Sequence, residues 1–177
     1  MVEALILKDV YPKNVFDRLI TVAKRQVNHL TYNDSFGRYG VTYGNKEKNE
    51  GLHSQWLSNF INVLTPLAKE VFNSSTLEPS YSMFAEYRKV GDTIPNLPHH
   101  KDNNACTYTI DVCLYQDTPW AIWVEGKEYY LEPNQAIVIY GEDQEHWREK
   151  FPDPENNVVG MMFNHYVEPD HWWHQNV

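Results

Sequence analysis

One stretch decides the fold: Cys106-Thr107-Tyr108-Thr109-Ile110-Asp111-Val112-Cys113-Leu114-Tyr115. Every second residue in it is apolar and would share one face of an extended segment: Tyr108, Ile110, Val112 and Leu114. Asp111 falls on the opposite face. β-branched and aromatic residues favour strands. The stretch therefore predicts a β-strand that turns one face towards an apolar core.

More β-rich runs lie on either side of this stretch. They are Tyr81–Val90 upstream and Trp120–Val124, Lys127–Leu131, Ala136–Tyr140 and Val158–Val167 downstream. Glu125-Gly126 separates two of them and predicts a two-residue hairpin turn. No helical pattern interrupts the series. Strands that follow one another in this way predict an antiparallel sandwich or barrel.

Two amphipathic helices are predicted before the strands. Apolar residues recur at helical spacing from Val15 to Val27, just after Pro12, which suits a helix start. A second stripe starts near His53 and runs to Val71, where Pro66 predicts a kink or a break. Residues 31–51 are polar and show no periodicity, which predicts an irregular loop. Since long loops in compact domains are often functional, we expect it to be a lid.

These patterns predict a mostly β (α+β) fold with supporting N-terminal helices. At 177 residues the chain is expected to form one domain, residues 1–177. Residues 1–76 would supply the helical support and the lid, and residues 77–170 the β-barrel core. Twelve Tyr, seven Phe and six Trp favour strands and the walls of a binding cleft.

Composition also limits which cellular compartment and which partners are expected. The net charge of −9 argues against binding to nucleic acid, which needs clustered Lys and Arg. No segment is apolar and long enough to span a bilayer, and the N-terminus has no secretory pattern, so a cytoplasmic protein without a membrane partner is expected. Cys106 and Cys113 are too close in an extended region for a disulfide, and buried free thiols are predicted.

The candidate chemistry lies in Pro98-His99-His100-Lys101-Asp102-Asn103 and in a distant residue, His146. In an extended segment His100 and Asp102 point to the same side, so both can grip one ion, with His146 as a third ligand. Two imidazoles and one carboxylate leave neighbouring coordination positions open, as in non-heme Fe(II) oxygenases. A chance His-x-Asp in a surface turn is the competing interpretation.

Other histidines are weaker candidates. His99 would face away from the metal in an extended segment. The tail His171-Trp172-Trp173-His174 has ligand spacing if helical, but its tryptophans are expected to pack the terminus against the barrel. His29, His53 and His165 belong to no motif and are expected to make hydrogen bonds.

In this order along the chain, Tyr87-x-x-x-Gly91-Asp92, His100-x-Asp102, a Gly141-containing turn and His146 resemble the Fe(II)- and 2-oxoglutarate-dependent oxygenases, in particular the prolyl-4-hydroxylase-like branch. The resemblance implies a double-stranded β-helix, or jelly-roll, and implies that His100, Asp102 and His146 are the catalytic iron ligands. It further implies Fe(II) as metal, 2-oxoglutarate and O2 as co-substrates, and ascorbate as an optional reductant.

The sequence departs from the family pattern in one residue, the cation that would bind the co-substrate. The family usually has an Arg or Lys on the strand after the distal histidine, and Val158–Val167 contains neither. Arg148 is the first substitute, because it would share a face with His146 and its planar fork suits a carboxylate. Arg88 is the second. A surface ion pair of Arg148 with Glu145 or Glu149 is the structural alternative.

Tyrosine hydroxyls often supplement a carboxylate site. Tyr87, Tyr108 and Tyr115 flank the motif and are the candidates, although any one of them can equally be a core aromatic. The leading function is hydroxylation of a peptide side chain or a small amino-acid-like substrate, coupled to decarboxylation of 2-oxoglutarate. The alternatives are a cupin-like metalloenzyme that does not use 2-oxoglutarate and a non-catalytic jelly-roll binding protein.

Overall fold

The computed structural model describes residues 3–44 and 54–175. Three helices lie at Lys13–Gln26 (α1), Trp56–Val71 (α2) and Trp172–Gln175 (α3). The first five strands are Leu5–Leu7 (β1), Thr31–Asn33 (β2), Arg38–Tyr43 (β3), Glu78–Arg88 (β4) and Leu97–His100 (β5). The other six are Tyr108–Gln116 (β6), Ile122–Val124 (β7), Lys127–Tyr129 (β8), Ala136–Ile139 (β9), His146–Arg148 (β10) and Val158–Val167 (β11).

The strands form two antiparallel sheets. The major sheet has seven strands in the order β1-β9-β6-β11-β4-β3-β2, and the minor sheet has four in the order β5-β10-β7-β8. The chain crosses between the sheets several times, so neighbours in each sheet are mostly distant in sequence. The mostly β, double-stranded jelly-roll prediction is confirmed.

Both long helices cover the outer face of the major sheet. Leu19 and Ala23 of α1 and Leu57 and Leu64 of α2 are buried in one apolar cluster. The same cluster takes in the outward side chains of β6, which are Ile110, Val112 and Leu114. The alternation read from the sequence is therefore correct, and the N-terminal helices support the sheet as predicted.

Pro66 does not break α2. The helix runs unbroken from Trp56 to Val71 with Pro66 inside it. A proline removes one backbone hydrogen bond, which costs about 3 kcal/mol in a helix interior. Buried residues on both sides of it, including Leu64 and Ala68, anchor the two halves to the same sheet. Tertiary packing therefore outweighs the local penalty, and of the two predicted effects the break is wrong, whereas the kink stays a prediction.

The prediction of an irregular loop over residues 31–51 is also wrong in its first half. β2 and β3 form a hairpin that extends the major sheet beyond β4. All six residues of β3 are only partly buried, so neither face shows the apolar alternation that marks a strand. Residues 45–53 of the predicted loop lie outside the described residues.

The turn of this hairpin is fixed by Gly37. Its φ is +63°, and a Cβ added there would lie 2.6 Å from Cα of Pro95. Only glycine fits such a left-handed, closely approached position. The turn therefore presses the start of β3 against the segment before β5.

The β7–β8 hairpin matches its prediction. Glu125 and Gly126 both have positive φ, 50° and 79°, as a tight two-residue hairpin turn requires. Both cysteines are buried free thiols, as predicted, but Cys106 lies in a single helical turn, Asn104–Cys106, and not in a strand. Among the described residues, no helix is long and apolar enough to cross a membrane.

Candidate metal centre

The two predicted histidine ligands face each other across the minor sheet. β10 pairs with β5 so that His146 is opposite His100. Asp102 follows β5, and its backbone N–H donates to the carbonyl of Gly141, 2.9 Å away. Sheet pairing thus brings together three residues that are up to 46 positions apart in the chain.

The donor atoms converge. Nε2 of His100 lies 3.6 Å from Oδ1 of Asp102, and Nε2 of His146 lies 3.7 Å from the same oxygen. Ligand atoms of the three residues all lie within 4.8 Å of one another. The imidazole rings are 4.2 Å apart between centroids. One ion can therefore contact all three side chains.

Backbone carbonyls orient both rings. Nδ1 of His100 lies 2.9 Å from the carbonyl oxygen of Pro98, and Nδ1 of His146 lies 2.9 Å from that of Gln144. A neutral imidazole that donates from Nδ1 keeps the Nε2 lone pair free. Histidine ligands of metals are commonly fixed in this way. Two such nitrogens and one carboxylate oxygen fit Fe(II) with open positions, so the residues suit the metal that the resemblance implies.

Burial and neighbouring charges favour the metal-binding protonation state of two of the three ligands, Asp102 and His146. Burial would raise the pKa of Asp102, but the neighbouring His100, His165 and His146 hold it below its usual value. Burial lowers the pKa of His146. Burial acts in the same direction on His100, but its contact with Asp102 and the Pro98 carbonyl raise its pKa overall. An ionised Asp102 and a neutral His146 are the forms that coordinate a metal.

Gly141 makes room for the carboxylate. A Cβ at this position would lie 2.3 Å from Oδ2 of Asp102 and 2.8 Å from Oγ1 of Thr109. The sequence pattern placed Gly141 in a turn but gave no sign that it adjoins Asp102. Only the approach of the β9–β10 turn to the segment after β5 reveals this requirement.

A cavity of about 490 Å³ adjoins the three ligands. It is lined by Phe36, Arg38, Tyr81, Met83, Leu97, Pro98, His100, Asp102, Asp111, His146, Phe163 and His165. Sequence reasoning did not assign Arg38, Asp111 or His165 to the site. For Asp111 and His165 a partial signal existed, because each alternates with apolar residues on a long strand and therefore lies on the opposite face from them. For Arg38 there was none, since its strand was not predicted.

His165 and Cys106 flank Asp102 but do not compete for the metal. Nδ1 of His165 lies 3.0 Å from Oγ1 of Thr109, so the hydrogen bond expected of this residue is present. Burial lowers the pKa of His165 to about 4. Burial raises the pKa of the Cys106 thiol, which lies 2.9 Å from the Tyr81 hydroxyl. A protonated thiol is a poor ligand, which leaves His100, Asp102 and His146 as the better donor set.

Arg148 is buried, with only 3% of its surface exposed. Its Nη1 donates to the carbonyl of Trp120 at 2.6 Å, its Nη2 lies 3.8 Å from Sδ of Met161, and its guanidinium lies over the Trp120 ring. Among the described residues no carboxylate lies within ion-pair distance of it, and its Nε has no hydrogen-bond partner. The alternative of a surface ion pair with Glu145 or Glu149 is therefore wrong.

Asp111 is a buried acid whose charge acts on Arg148. It is 2% exposed, and its Oδ1 has no hydrogen-bond partner. Burial raises its pKa well above the usual value, the charge of Asp102 adds to this, and Arg148 opposes it. Arg148 and Asp111 thus sense each other's charge without forming a pair. A buried charge with no partner costs several kcal/mol, which makes Arg148 a strong attractor for an anion.

The other residues predicted to bind the co-substrate lie on two different faces of the major sheet. Tyr87 is fully buried on the cavity side, where its ring packs on Trp120 and its hydroxyl accepts a hydrogen bond from Arg38. Tyr108 packs on Phe72 under α2.

Tyr115 and Arg88 lie with Tyr108 on the outer face. The Tyr115 hydroxyl donates to Glu86 at 2.6 Å, and Arg88 forms an ion pair with the same Glu86. A bulge in the pairing between β11 and β6 at Gly160 and Met161 turns Tyr115 outward. Tyr108, Tyr115 and Arg88 therefore cannot reach a ligand in the cavity and are withdrawn as co-substrate residues.

The structure also shows where His99 and the C-terminal tail lie. His99 points away from the metal centre, as expected, and its ring stacks on Trp147 at 3.8 Å between centroids. In the tail, Trp173 is buried against Ala105 and Val167, and its Nε1 donates to the carbonyl of Ser80. The expected packing role of the tail is therefore confirmed for Trp173.

Comparison with known proteins gives no match by sequence but many by structure. No protein-family model and no curated protein matches the sequence. A 2OG-Fe(II) oxygenase family oxidoreductase from Burkholderia pseudomallei superposes with a TM-score of 0.69 at 11% identity, over 93% of this chain and 84% of that one.

Two further structures illustrate the range of proteins that share this fold. The epimerase SnoN of nogalamycin biosynthesis, solved with Fe3+, alpha ketoglutarate and nogalamycin RO, gives a TM-score of 0.71 at 10% identity, over 93% of this chain and 78% of that one. A prolyl hydroxylase from Trichoplax adhaerens, in complex with a hypoxia inducible factor peptide, gives 0.65 at 12% identity, over 97% and 86%. The chain therefore has the fold of the 2OG-Fe(II) oxygenases.

Proposed function

We propose that this protein is an Fe(II)- and 2-oxoglutarate-dependent dioxygenase that hydroxylates a small amino-acid-like molecule or a peptide side chain. One observation carries the proposal. His100, Asp102 and His146 present two imidazole nitrogens and a carboxylate oxygen, within 4.8 Å of one another, to a cavity in a fold shared with 2OG-Fe(II) oxygenases. SnoN, one of those structures, holds iron and alpha ketoglutarate.

The ligand residues have a simple task. His100 and His146 hold the metal through Nε2, with ring orientation fixed by the carbonyls of Pro98 and Gln144. Asp102 adds one negative charge and is seated by Gly141. When bound, Fe(II) supplies the activation of O2, by which decarboxylation of 2-oxoglutarate to succinate is coupled to hydroxylation. Apolar walls at Met83, Leu97 and Phe163 exclude water from the reacting groups.

Arg148 supplies the cation that β11 lacks. It follows His146 by two residues on β10, which is roughly 7 Å along a strand, a distance that a five-carbon diacid can span. A carboxylate bound there would give the buried guanidinium the partner it lacks among the described residues. Arg148 does not itself line the cavity. The proposal therefore requires a side-chain movement, for which the flexible Met161 thioether beside Nη2 is suited.

The test is succinate formation. Protein purified without oxygen is given Fe(II), ascorbate, 2-oxoglutarate and then O2, and wild type is compared with Asp102→Ala and with Asp92→Ala. Asp92 is an exposed turn residue and serves as the matched control. We expect slow succinate release from wild type and Asp92→Ala, and at least about a hundredfold less from Asp102→Ala, because a metal ligand has been removed.

The other outcomes identify the alternatives. Iron binding without 2-oxoglutarate binding or succinate release would favour a cupin-like metalloenzyme. If wild type and Asp102→Ala bind no iron, as measured by calorimetry, the protein is a non-catalytic jelly-roll. Either result would overturn the proposed activity while leaving the fold unchanged.

A further inference from the structure

Arg38, unlike Arg148, lines the cavity, and it has no role in the proposed reaction. Arg38 is the first residue of β3, opposite Tyr87 of β4, and lines the cavity together with the three metal ligands. It is half-buried, so its charge is shielded from bulk water only in part. It lies on the major sheet, whereas Arg148 lies on the minor sheet.

The guanidinium of Arg38 is held in place by aromatic contacts. Its Nη1 donates to the Tyr87 hydroxyl at 2.9 Å, and its central carbon lies 4.7 Å from the centroid of the Phe36 ring and 5.6 Å from that of Tyr87. The Gly37 turn fixes the backbone just before it. Stacking fixes the guanidinium plane and leaves its edge free for hydrogen bonds.

Among the described residues, this arginine has no acid as an ion-pair partner. Among residues 3–44 and 54–175, no carboxylate lies within 4.0 Å of it. That is notable in a chain with 24 acidic and 15 basic side chains. One donor of its fork contacts Tyr87, and within the described part of the chain the other donors make no hydrogen bond. Against those residues, Arg38 therefore has donors left for a ligand in the cavity that it lines.

Two separate cations imply two separate anions. 2-Oxoglutarate has two carboxylates: in the proposed function the distal one belongs to Arg148, and the other would lie at the metal. A further anionic group, for Arg38, would then come from the prime substrate. The walls around Arg38 are apolar, formed by Phe36, Met83, Leu97 and Phe163, so the rest of the substrate is expected to be apolar.

We propose that Arg38 binds the carboxylate of the prime substrate, which is a small free carboxylic acid with an apolar body, such as an apolar amino acid. This inference rests on the proposed function and makes it more specific. It sets aside an internal apolar residue of a peptide, which has no free carboxylate. A cavity of about 490 Å³, shared with 2-oxoglutarate, also favours a small substrate.

The experiment measures binding, without turnover. Wild-type protein loaded with Fe(II) and 2-oxoglutarate under strict exclusion of O2 is titrated calorimetrically with the apolar L-amino acids and with short straight-chain fatty acids. Each acid is compared with its carboxamide, which has the same body and no charge. Arg38→Met removes the charge, Arg38→Lys keeps it, and Arg25→Met, an exposed residue of α1, is the control.

We expect at least one free acid to bind wild type and Arg25→Met, and its carboxamide to bind about 10- to 100-fold more weakly, as for a lost hydrogen bond to a charge. Arg38→Met should show the same loss for the acid, and Arg38→Lys a partial one. The affinity of Arg38→Met for 2-oxoglutarate should stay within about threefold of wild type.

Several results would overturn the inference. They are carboxamides that bind as well as acids, acids that bind Arg38→Met as well as wild type, and a complete panel of acids that fails to bind wild type. Loss of 2-oxoglutarate binding in Arg38→Met would assign Arg38 to the co-substrate instead. If wild type itself does not bind 2-oxoglutarate, the proposed function has failed, and this is seen before any acid is added.

Discussion

Two pairs of acid and arginine lie on opposite faces of the major sheet and behave differently. On the outer face, Glu86 forms an ion pair with Arg88 and accepts a hydrogen bond from Tyr115. On the inner side, Asp111 of β6 and Arg148, which reaches in from β10 of the minor sheet, are both buried, yet they form no ion pair with each other. Each side leaves a buried acid oxygen and an arginine Nε without a hydrogen bond, but only the outer acid and arginine neutralise each other's charge in an ion pair.

This difference separates a structural pair from a functional one. Buried charges normally find partners, because burying one alone costs several kcal/mol. A protein retains an unpaired buried guanidinium at a net cost in stability, and a bound anion repays that cost. We therefore interpret the inner pair as part of a ligand site and the outer pair as part of the core, and three experiments can break or sharpen this interpretation.

The largest effect is expected when Arg148 and Arg88 are each replaced by methionine in separate variants. Arg148→Met should weaken 2-oxoglutarate binding by about 2 kcal/mol or more, roughly thirtyfold, because a charge-assisted pair is lost. Arg88→Met should leave that binding unchanged. Calorimetry on the iron-loaded proteins without O2 measures both.

For the free energy of unfolding, the larger loss is expected from Arg88→Met and not from Arg148→Met. Arg148→Met should leave the free energy of unfolding of the ligand-free protein equal or higher, since an unpaired buried charge is removed. Arg88→Met leaves buried Glu86 without its cation and should cost about 1–3 kcal/mol, a range reduced because the Arg88 side chain is 41% exposed. Equal losses of 2-oxoglutarate affinity in the two variants would contradict the comparison.

A smaller but equally selective effect is expected when Gly141 and Gly160 are each replaced by alanine. Gly141→Ala places a methyl group 2.3 Å from Oδ2 of Asp102, and Gly160→Ala places one 2.4 Å from Cζ of Tyr115. Both should destabilise the protein by about 1–3 kcal/mol through overpacking. Only Gly141→Ala should lower iron affinity, by about 10- to 100-fold.

Iron affinity and thermal unfolding are measured on the same samples. Gly160→Ala acts as the control for general damage, since its clash lies on the outer face. If both variants keep the iron affinity of wild type, Asp102 does not need the space that Gly141 leaves. That result would weaken the assignment of Asp102 as a ligand.

The smallest effect is expected from Asp111→Asn. Burial raises the pKa of Asp111 in the folded protein, so the folded state keeps a proton that the unfolded chain loses near pH 4. The stability of wild type should therefore fall as the pH rises from about 4 towards the folded-state pKa. Asparagine has no proton to lose and removes this part of the pH dependence.

The measurement is urea unfolding of metal-free wild type, Asp111→Asn and the exposed control Asp92→Asn across this pH range. The advantage of Asp111→Asn over wild type should grow with pH, and Asp92→Asn should follow wild type. Parallel curves for wild type and Asp111→Asn would show that Asp111 does not hold a proton in the folded protein that the unfolded chain loses.

Much of the architecture could be predicted because it is written in local patterns. The alternation in β6, the Glu125-Gly126 turn and the bounds of β11 gave antiparallel strands in the correct places. The same rule put His100 and Asp102 on one side of an extended segment. Errors arose where local patterns are weak, as in β3, or where packing overrides a local penalty, as at Pro66.

By itself, the sequence determined the mostly β fold, the helical support and the spacing of His100, Asp102 and His146. Only the tertiary structure decided which side chains meet in the cavity. Alternation gives the two faces of a strand but not which of them faces the site, and a single bulge, as at Gly160 and Met161, exchanges them. The burial of Arg148, the space left by Gly141 and the presence of Arg38 follow from long-range strand pairing, because contacts between segments far apart in the chain leave no local signal.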